Sequence, residues 1–148
     1  MIFVGIDVSK DSHSCHILSS KGKTLVDNLV ISNDLEGFRT LDDSLSLVEE
    51  DIRIALESTG HYSINIESFL RNKGYSVTLL NPLIVDKFKK SQTLRKTKTD
   101  KSDAKLIATL LFSKIQEATV DVPIEIRELK SLTRNRSRLV KEKSNLKV

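Results

Sequence analysis

Ile2-Phe3-Val4-Gly5-Ile6-Asp7-Val8-Ser9-Lys10 opens the chain with an apolar run that one carboxylate interrupts. Ile2, Phe3, Val4, Ile6 and Val8 put apolar side chains on both faces of an extended segment, the pattern of a central strand covered by a layer on each side. Asp7 breaks it. A buried carboxylate without a partner costs several kcal/mol or takes up a proton, so an acid here requires a cation, hydrogen-bond donors or a metal ion. The stretch supports two readings. Either Asp7 holds a metal ion onto which later acids fold back, or the strand ends one residue early and Asp7 starts the turn through Ser9, Lys10 and Asp11.

Ser9 to Ser12 is a polar turn, and Ser14 to Leu18 resumes an extended segment, which together signal a hairpin. Lys21-Gly22-Lys23 turns the chain again, and Thr24 to Ile31 supplies a third strand. Ser32-Asn33-Asp34 offers helix caps ahead of Leu35, Phe38, Leu41, Leu45 and Val48 at helical spacing. Ile52 to Glu57 is a fourth strand ending in another acid, followed by a helix from about His61 to Asn72 that Gly74 closes. Tyr75 to Leu80 is the fifth strand. A strand, helix, strand order over 52–80 requires a parallel pair with a right-handed crossover. The sheet is therefore mixed, and in such sheets the functional crevice lies off the carboxyl ends of the parallel strands, where Asp7 and Glu57 fall. Beyond it, Leu83 to Lys90 is compatible with a short helix, Ser91 to Thr99 reads as a mobile basic loop, and a helix resumes near Thr99 with Ala104, Ile107, Ala108, Leu110 and Leu111 as its apolar face.

At 148 residues the chain is long enough for one core. No apolar run approaches the roughly 20 residues that span a bilayer, and the N-terminus reaches Asp7 too soon and without a basic leader to be a signal peptide. A single cysteine, Cys15, rules out an internal disulfide and fits a reducing cytoplasm. His13 and His16 lie three apart, on opposite faces of a strand, which argues against a zinc pair. Charge is unevenly spread: residues 87–105 carry eight Lys/Arg against Asp100 and Asp103, and residues 124–148 eight against Glu125, Glu128 and Glu142, so the rest of the chain is net acidic. An acidic body with two basic segments points to a polyanionic partner met by those segments, the plain alternative being that Lys and Arg only solvate a loop and a helix face.

Asp100 and Asp103 are three apart at a helix start, so their carboxylates project to one side. Helix N-termini favour acids in any case, which leaves capping as the plain alternative. Taken with Asp7 and Glu57 they form a set of four carboxylates from different elements at one sheet edge. Magnesium prefers oxygen ligands, and a two-metal site for phosphodiester cleavage needs such convergence, here with Asp7 between the ions. His61 and Tyr62, just past Glu57, border this edge or start the following helix; Ser9 and Lys10 line the cleft.

The segments G-I-D-V-S-K (5–10), E-S-T-G-H-Y (57–62) and K-T-D-K-S-D-A (98–104), in this order, resemble the DEDD transposases of bacterial insertion sequences, relatives of the Piv site-specific DNA invertase. The resemblance runs from residue 2 to the end. It implies an α/β, RuvC-like (ribonuclease H-like) mixed sheet with three antiparallel N-terminal strands, two further parallel strands and flanking helices. It also implies that Asp7, Glu57, Asp100 and Asp103 are the catalytic tetrad binding magnesium or manganese, with DNA as substrate and structured guide RNA as a further partner. Lys10, Lys96, Lys98, Lys101, Arg134, Arg136 and Arg138 are the expected nucleic-acid contacts. In this family a C-terminal domain carries a serine implicated in strand exchange; no such domain is present here, so the chain reads as a piece of a longer protein, weak or inert by itself.

Residues 1–122 are thus expected to form the catalytic domain and 123–148 the start of a basic helical segment. Leu132, Leu139 and Leu146 recur at seven residues, with Ile126 and Leu129 extending the stripe and Arg136 and Lys143 at companion positions, an imperfect coiled-coil seam. A helix from a second copy or from a further part of the protein would bury it, with association of copies the expected outcome; the plain alternative is a helix packed on its own domain. Two other function classes compete. A sugar-kinase or actin-like ATPase also opens on an acid-bearing strand, but the five glycines form no adenosine loop. A non-catalytic nucleic-acid-binding or assembly module would use the acids structurally and would bind no magnesium.

Overall fold

The computed structural model describes residues 1–58, 60–92, 103–113 and Arg136. Five strands and four helices follow one another as β1 (Ile2–Val8), β2 (Ser12–Leu18), β3 (Thr24–Ser32), α1 (Leu35–Ser46), β4 (Ile52–Glu57), α2 (Ser63–Asn72), β5 (Ser76–Leu80), α3 (Pro82–Gln92) and α4 (Asp103–Phe112). The strands form one sheet in the order β3-β2-β1-β4-β5. β1, β2 and β3 make an antiparallel meander, while β1 pairs with β4 and β4 with β5 in parallel. This is the mixed sheet that the sequence predicts, with β1 at its centre.

Strand parity divides the core into two layers. Ile2, Val4, Ile6 and Val8 of β1, with Ile54 and Leu56 of β4, pack with Phe38, Leu41 and Leu45 of α1 and Ile66 and Leu70 of α2. Phe3 of β1 and Ala55 of β4 pack with Val85 of α3 and Leu106, Ile107, Leu110 and Leu111 of α4 on the other face. Because side chains alternate along a strand, Gly5 and Asp7 share the face of Phe3, and Glu57 shares that of Ala55. Both acids therefore point to the α3/α4 layer. β1 is apolar on both faces because both are covered, as its sequence predicts.

Element ends follow local chemistry. Asp34 caps α1: its carboxylate accepts the Gly37 N–H at 2.8 Å and the Ser32 hydroxyl at 2.7 Å. α2 ends on Gly74, whose φ of 88° is in the left-handed region, with its N–H donating to the Arg71 carbonyl at 2.9 Å. The Asp42 carboxylate of α1 ties the helical layer to the region after α2 by accepting the Tyr75 hydroxyl at 2.8 Å and pairing with Lys73 at 2.7 Å. These contacts hold Asp42 below the ordinary carboxylate range, whereas burial and the nearby Asp42 push the Tyr75 hydroxyl up to about 12.

Some boundaries differ from expectation. β2 begins at Ser12 rather than Ser14, and α1 stops at Ser46, so Val48 meets the core from the following turn. α2 begins at Ser63, with Tyr62 in the cap position and its ring packed on the α1/α2 core. Tyr62 thus takes the helix-start role, on the face opposite the acids. Ser91 and Gln92 close α3 rather than open a loop. The expected loop over 93–99, Asp100 and the C-terminal helical seam lie outside the described residues. No helix among the described residues is long and apolar enough to cross a membrane.

Candidate metal centre

Three of the four expected acids are described, and the fold brings them to one face. Asp7 lies near the C-terminal end of β1, Glu57 ends the neighbouring parallel strand β4, and Asp103 opens α4, which packs across β1 and β2. Gly5 sets how closely α4 approaches: a Cβ there would lie 2.3 Å from the Ala104 carbonyl oxygen and 2.3 Å from the Ala108 nitrogen. The absence of a side chain two residues before Asp7 lets the first turn of α4 rest on the β1 backbone, and this seats Asp103 beside Asp7.

The electrostatics register that convergence. Burial raises the pKa of Asp7 from its ordinary value, with the charge of Asp103 adding to the rise and that of Lys89 opposing it. Burial likewise raises Glu57, followed by repulsion from Asp7 and from Asp103, and Lys89 again opposes. Like charges drawn together in a partly desolvated place disfavour ionisation, and a cation placed among them restores it. Among the described residues, no three His, Cys, Asp or Glu side chains form a ready-made cage for an ion. Instead Asp103 is engaged by Lys89 of α3, whose ammonium lies 2.5 Å from its carboxylate. The donor set, hard carboxylate oxygens already drawing a cation, fits magnesium or manganese.

A raised carboxylate pKa also reports on stability. Glu57 costs stability when ionised, above its raised pKa; the cost fades as pH falls through that pKa and is gone below the ordinary value of 4.5. Glu57→Gln should therefore raise the thermal midpoint of the metal-free chain at pH 7 by about 1–3 °C. Calorimetry at pH 7 and at acid pH checks this: the gain should shrink at acid pH, and a lower midpoint at pH 7 would show that the carboxylate is held by stabilising contacts instead.

The turn after Asp7 is pinned from below. His13, fully buried and stacked on Phe38, accepts the Ser9 N–H on Nδ1 at 3.3 Å and faces the Asn33 side-chain oxygen with Nε2 at 3.0 Å. With Nδ1 accepting, Nε2 carries the proton and donates, so this imidazole is neutral, and burial lowers its pKa accordingly. Asn33 Nδ2 donates to the Lys10 carbonyl at 2.9 Å. His16, fully buried on the opposite parity, bonds the Asp27 carbonyl at 2.6 Å. The two histidines thus face opposite sides of the sheet, as their spacing predicts.

Among the expected basic contacts, Lys10 is exposed on the turn after β1, and Arg136 is exposed. Lys96, Lys98, Lys101, Arg134 and Arg138 fall outside the described residues, as does Asp100. The sequence reading missed Lys89. It sits in the basic run from residue 87, and its spacing of four from the apolar Val85 was the available signal that it shares a helix face turned to the sheet. A cleft of about 490 Å³ lined by Leu45, Val48, Arg53, Gly74, Tyr75 and Ser76 among others lies at the opposite ends of the parallel strands and is no part of this site.

A sequence model of the IS110-type DEDD transposases, described as a transposase family, matches residues 4–148. The pilin gene-inverting protein of Moraxella bovis is 28% identical over 110 residues, 72% of this chain and 33% of that protein. An uncharacterized 44.8 kDa protein of insertion element IS116 from Streptomyces clavuligerus is 26% identical over 146 residues, 98% of this chain and 36% of that protein. The chain thus spans about a third of the length of these relatives. Among solved structures, Thermus thermophilus RuvC aligns with a TM-score of 0.51 and 16% identity over 76% of this chain and 94% of that one. RuvC of T. thermophilus in complex with a Holliday junction substrate aligns with a TM-score of 0.53 and 14% identity over 76% and 93%. The fold is therefore RuvC-like, and the chain belongs to the IS110-type DEDD transposase family.

Proposed function

We propose that the chain is the N-terminal catalytic domain of a transposase or site-specific DNA recombinase, which cleaves and joins DNA strands during insertion-sequence transposition with magnesium or manganese as cofactor. The observation that carries this reading is the meeting of Asp7, Glu57 and Asp103, from three separate elements, on one sheet face where burial and the neighbouring acids work against the ionisation of Asp7 and Glu57. Perturbed acids gathered in this way mark functional sites, and a divalent cation placed among them would offset their charge.

Asp7 and Glu57 are held on adjacent strand ends and Asp103 on the first turn of α4, so rigid elements fix all three. Asp100, three residues earlier, completes the tetrad. Divalent metal bound there would orient a scissile phosphate and offset charge developing on its oxygens. Lys10 on the pinned turn, with Lys96, Lys98, Lys101, Arg134, Arg136 and Arg138, would contact the phosphates of DNA, and of a structured guide RNA in the complete protein. We assign residues 1–122 to the catalytic domain and 123–148 to the start of a basic helix through which copies of the chain associate. A cytoplasmic location fits action on DNA. Strand cleavage by the full-length protein carrying Asp7→Asn or Asp103→Asn tests this proposal.

One observation favours a second reading, a non-catalytic nucleic-acid module: the Lys89 ion pair already satisfies Asp103. That module would show no carboxylate-dependent uptake of manganese.

A further inference from the structure

Lys89 is set apart from its neighbour Lys90 by where its charge goes. Lys90 pairs at 2.7 Å with Asp86, one turn back on its own helix, a solvated pair of the kind that contributes little. Lys89 instead reaches from α3 to α4 and meets Asp103 at 2.5 Å. Its place is defined by what precedes it. Asn81 caps α3 by accepting the Leu83 N–H at 2.9 Å, Val85 is buried in the α3/α4 core, and Ile84 and Phe88 pack against that core. Lys89 follows Val85 by four residues, so the helix delivers its side chain to the same side, over the three acids. Its charge is felt by Asp7 and Glu57 as well as by Asp103, and all three in turn hold the ammonium charged.

An ammonium is a compact point charge on a flexible four-carbon stem. It can sit on one carboxylate oxygen and withdraw without any backbone movement. Within the reading of this face as a metal site, we propose that Lys89 is its built-in counter-ion: the ammonium holds Asp103 until a divalent cation takes the carboxylate and a nucleic-acid phosphate takes the ammonium. The metal-free acids are thereby kept from repelling one another, and metal alone binds against a resident competitor. Metal and nucleic acid then favour each other's entry, because each receives one half of the ion pair.

The test is a calorimetric manganese titration of the chain, without nucleic acid, in wild-type, Lys89→Met and Lys89→Arg forms, each with and without Asp7→Asn. The Lys89 side chain is 54% exposed, so neither substitution disturbs the core. Removing a positive charge beside a divalent ion should tighten manganese binding about tenfold in Lys89→Met. Lys89→Arg, which keeps the charge, should retain wild-type affinity, a rescue that a packing role for the stem would not demand. The metal-free Lys89→Met chain should also melt earlier and recover more on adding manganese. Asp7-dependent binding that Lys89→Met leaves unchanged or weakens overturns the counter-ion role while sparing the metal site. No Asp7-dependent binding in any of the three forms overturns both.

Discussion

Replacing Gly5 with alanine should destabilise the chain by about 3 kcal/mol, at the upper end of the cost of overpacking a core, out of the roughly 5–15 kcal/mol that holds a typical domain together. The new Cβ would lie 2.3 Å from two backbone atoms of α4, the Ala104 carbonyl oxygen and the Ala108 nitrogen. No side-chain rotation relieves a clash with backbone, so α4 has to lift from the sheet. Asp103 immediately precedes Ala104 and would move with it, so manganese affinity should fall together with stability. Gly74→Ala is the matched control. Nothing stands within 4 Å of its new Cβ, and its φ of 88° makes the cost one of backbone conformation, about 1–2 kcal/mol, with no change in metal binding. Urea unfolding and manganese titration of both variants check the pair; a Gly5→Ala chain as stable as wild type would refute the close approach of α4 to β1.

Asp7→Asn and Asp103→Asn should each lower metal-dependent strand cleavage by the full-length protein about a thousandfold or more, the scale seen when preorganised charge stabilisation of a transition state is removed. Asparagine keeps the shape of aspartate, so the fold has no reason to fail. The Asp7 substitution in particular removes a charge whose ionisation burial opposes, and it should leave thermal stability intact or slightly raised. Cleavage rates measured beside melting curves separate loss of chemistry from loss of fold. A folded variant that keeps more than about a tenth of wild-type cleavage would remove the acid from the catalytic set.

The centre of this fold could be read from the chain because its strongest signals are local. β1 is apolar at both parities, the β2 and β3 segments alternate between polar turns, and Ser-Asn-Asp before Leu35 announces α1. The position of Glu57 at a parallel strand end follows from the crossover over 52–80, and that of Asp7 near the end of a central strand from the apolar run of β1; that β1 pairs in parallel with β4 is shown by the structure. Two features needed coordinates. Gly5 is a lone glycine within a strand, a known mark of close backbone approach, yet no local pattern says which helix comes close. Lys89 looks like any lysine of a basic run until α3 is packed against α4, since its partner lies 14 residues away. Tyr62 shows the reverse difficulty: its place just past Glu57 fits either the site or the start of α2, and only the packing of its ring on the opposite core decides for the helix start.

What joins these observations is the claim that β1, β4 and α4 deliver carboxylates to one cation. Crystals of the chain soaked in manganese, with data collected at the manganese absorption edge, test it most directly. The account predicts anomalous density between the side chains of Asp7, Glu57 and Asp103, with the Lys89 ammonium displaced from Asp103. Anomalous density elsewhere, or none with the Lys89–Asp103 pair intact at saturating manganese, would contradict it.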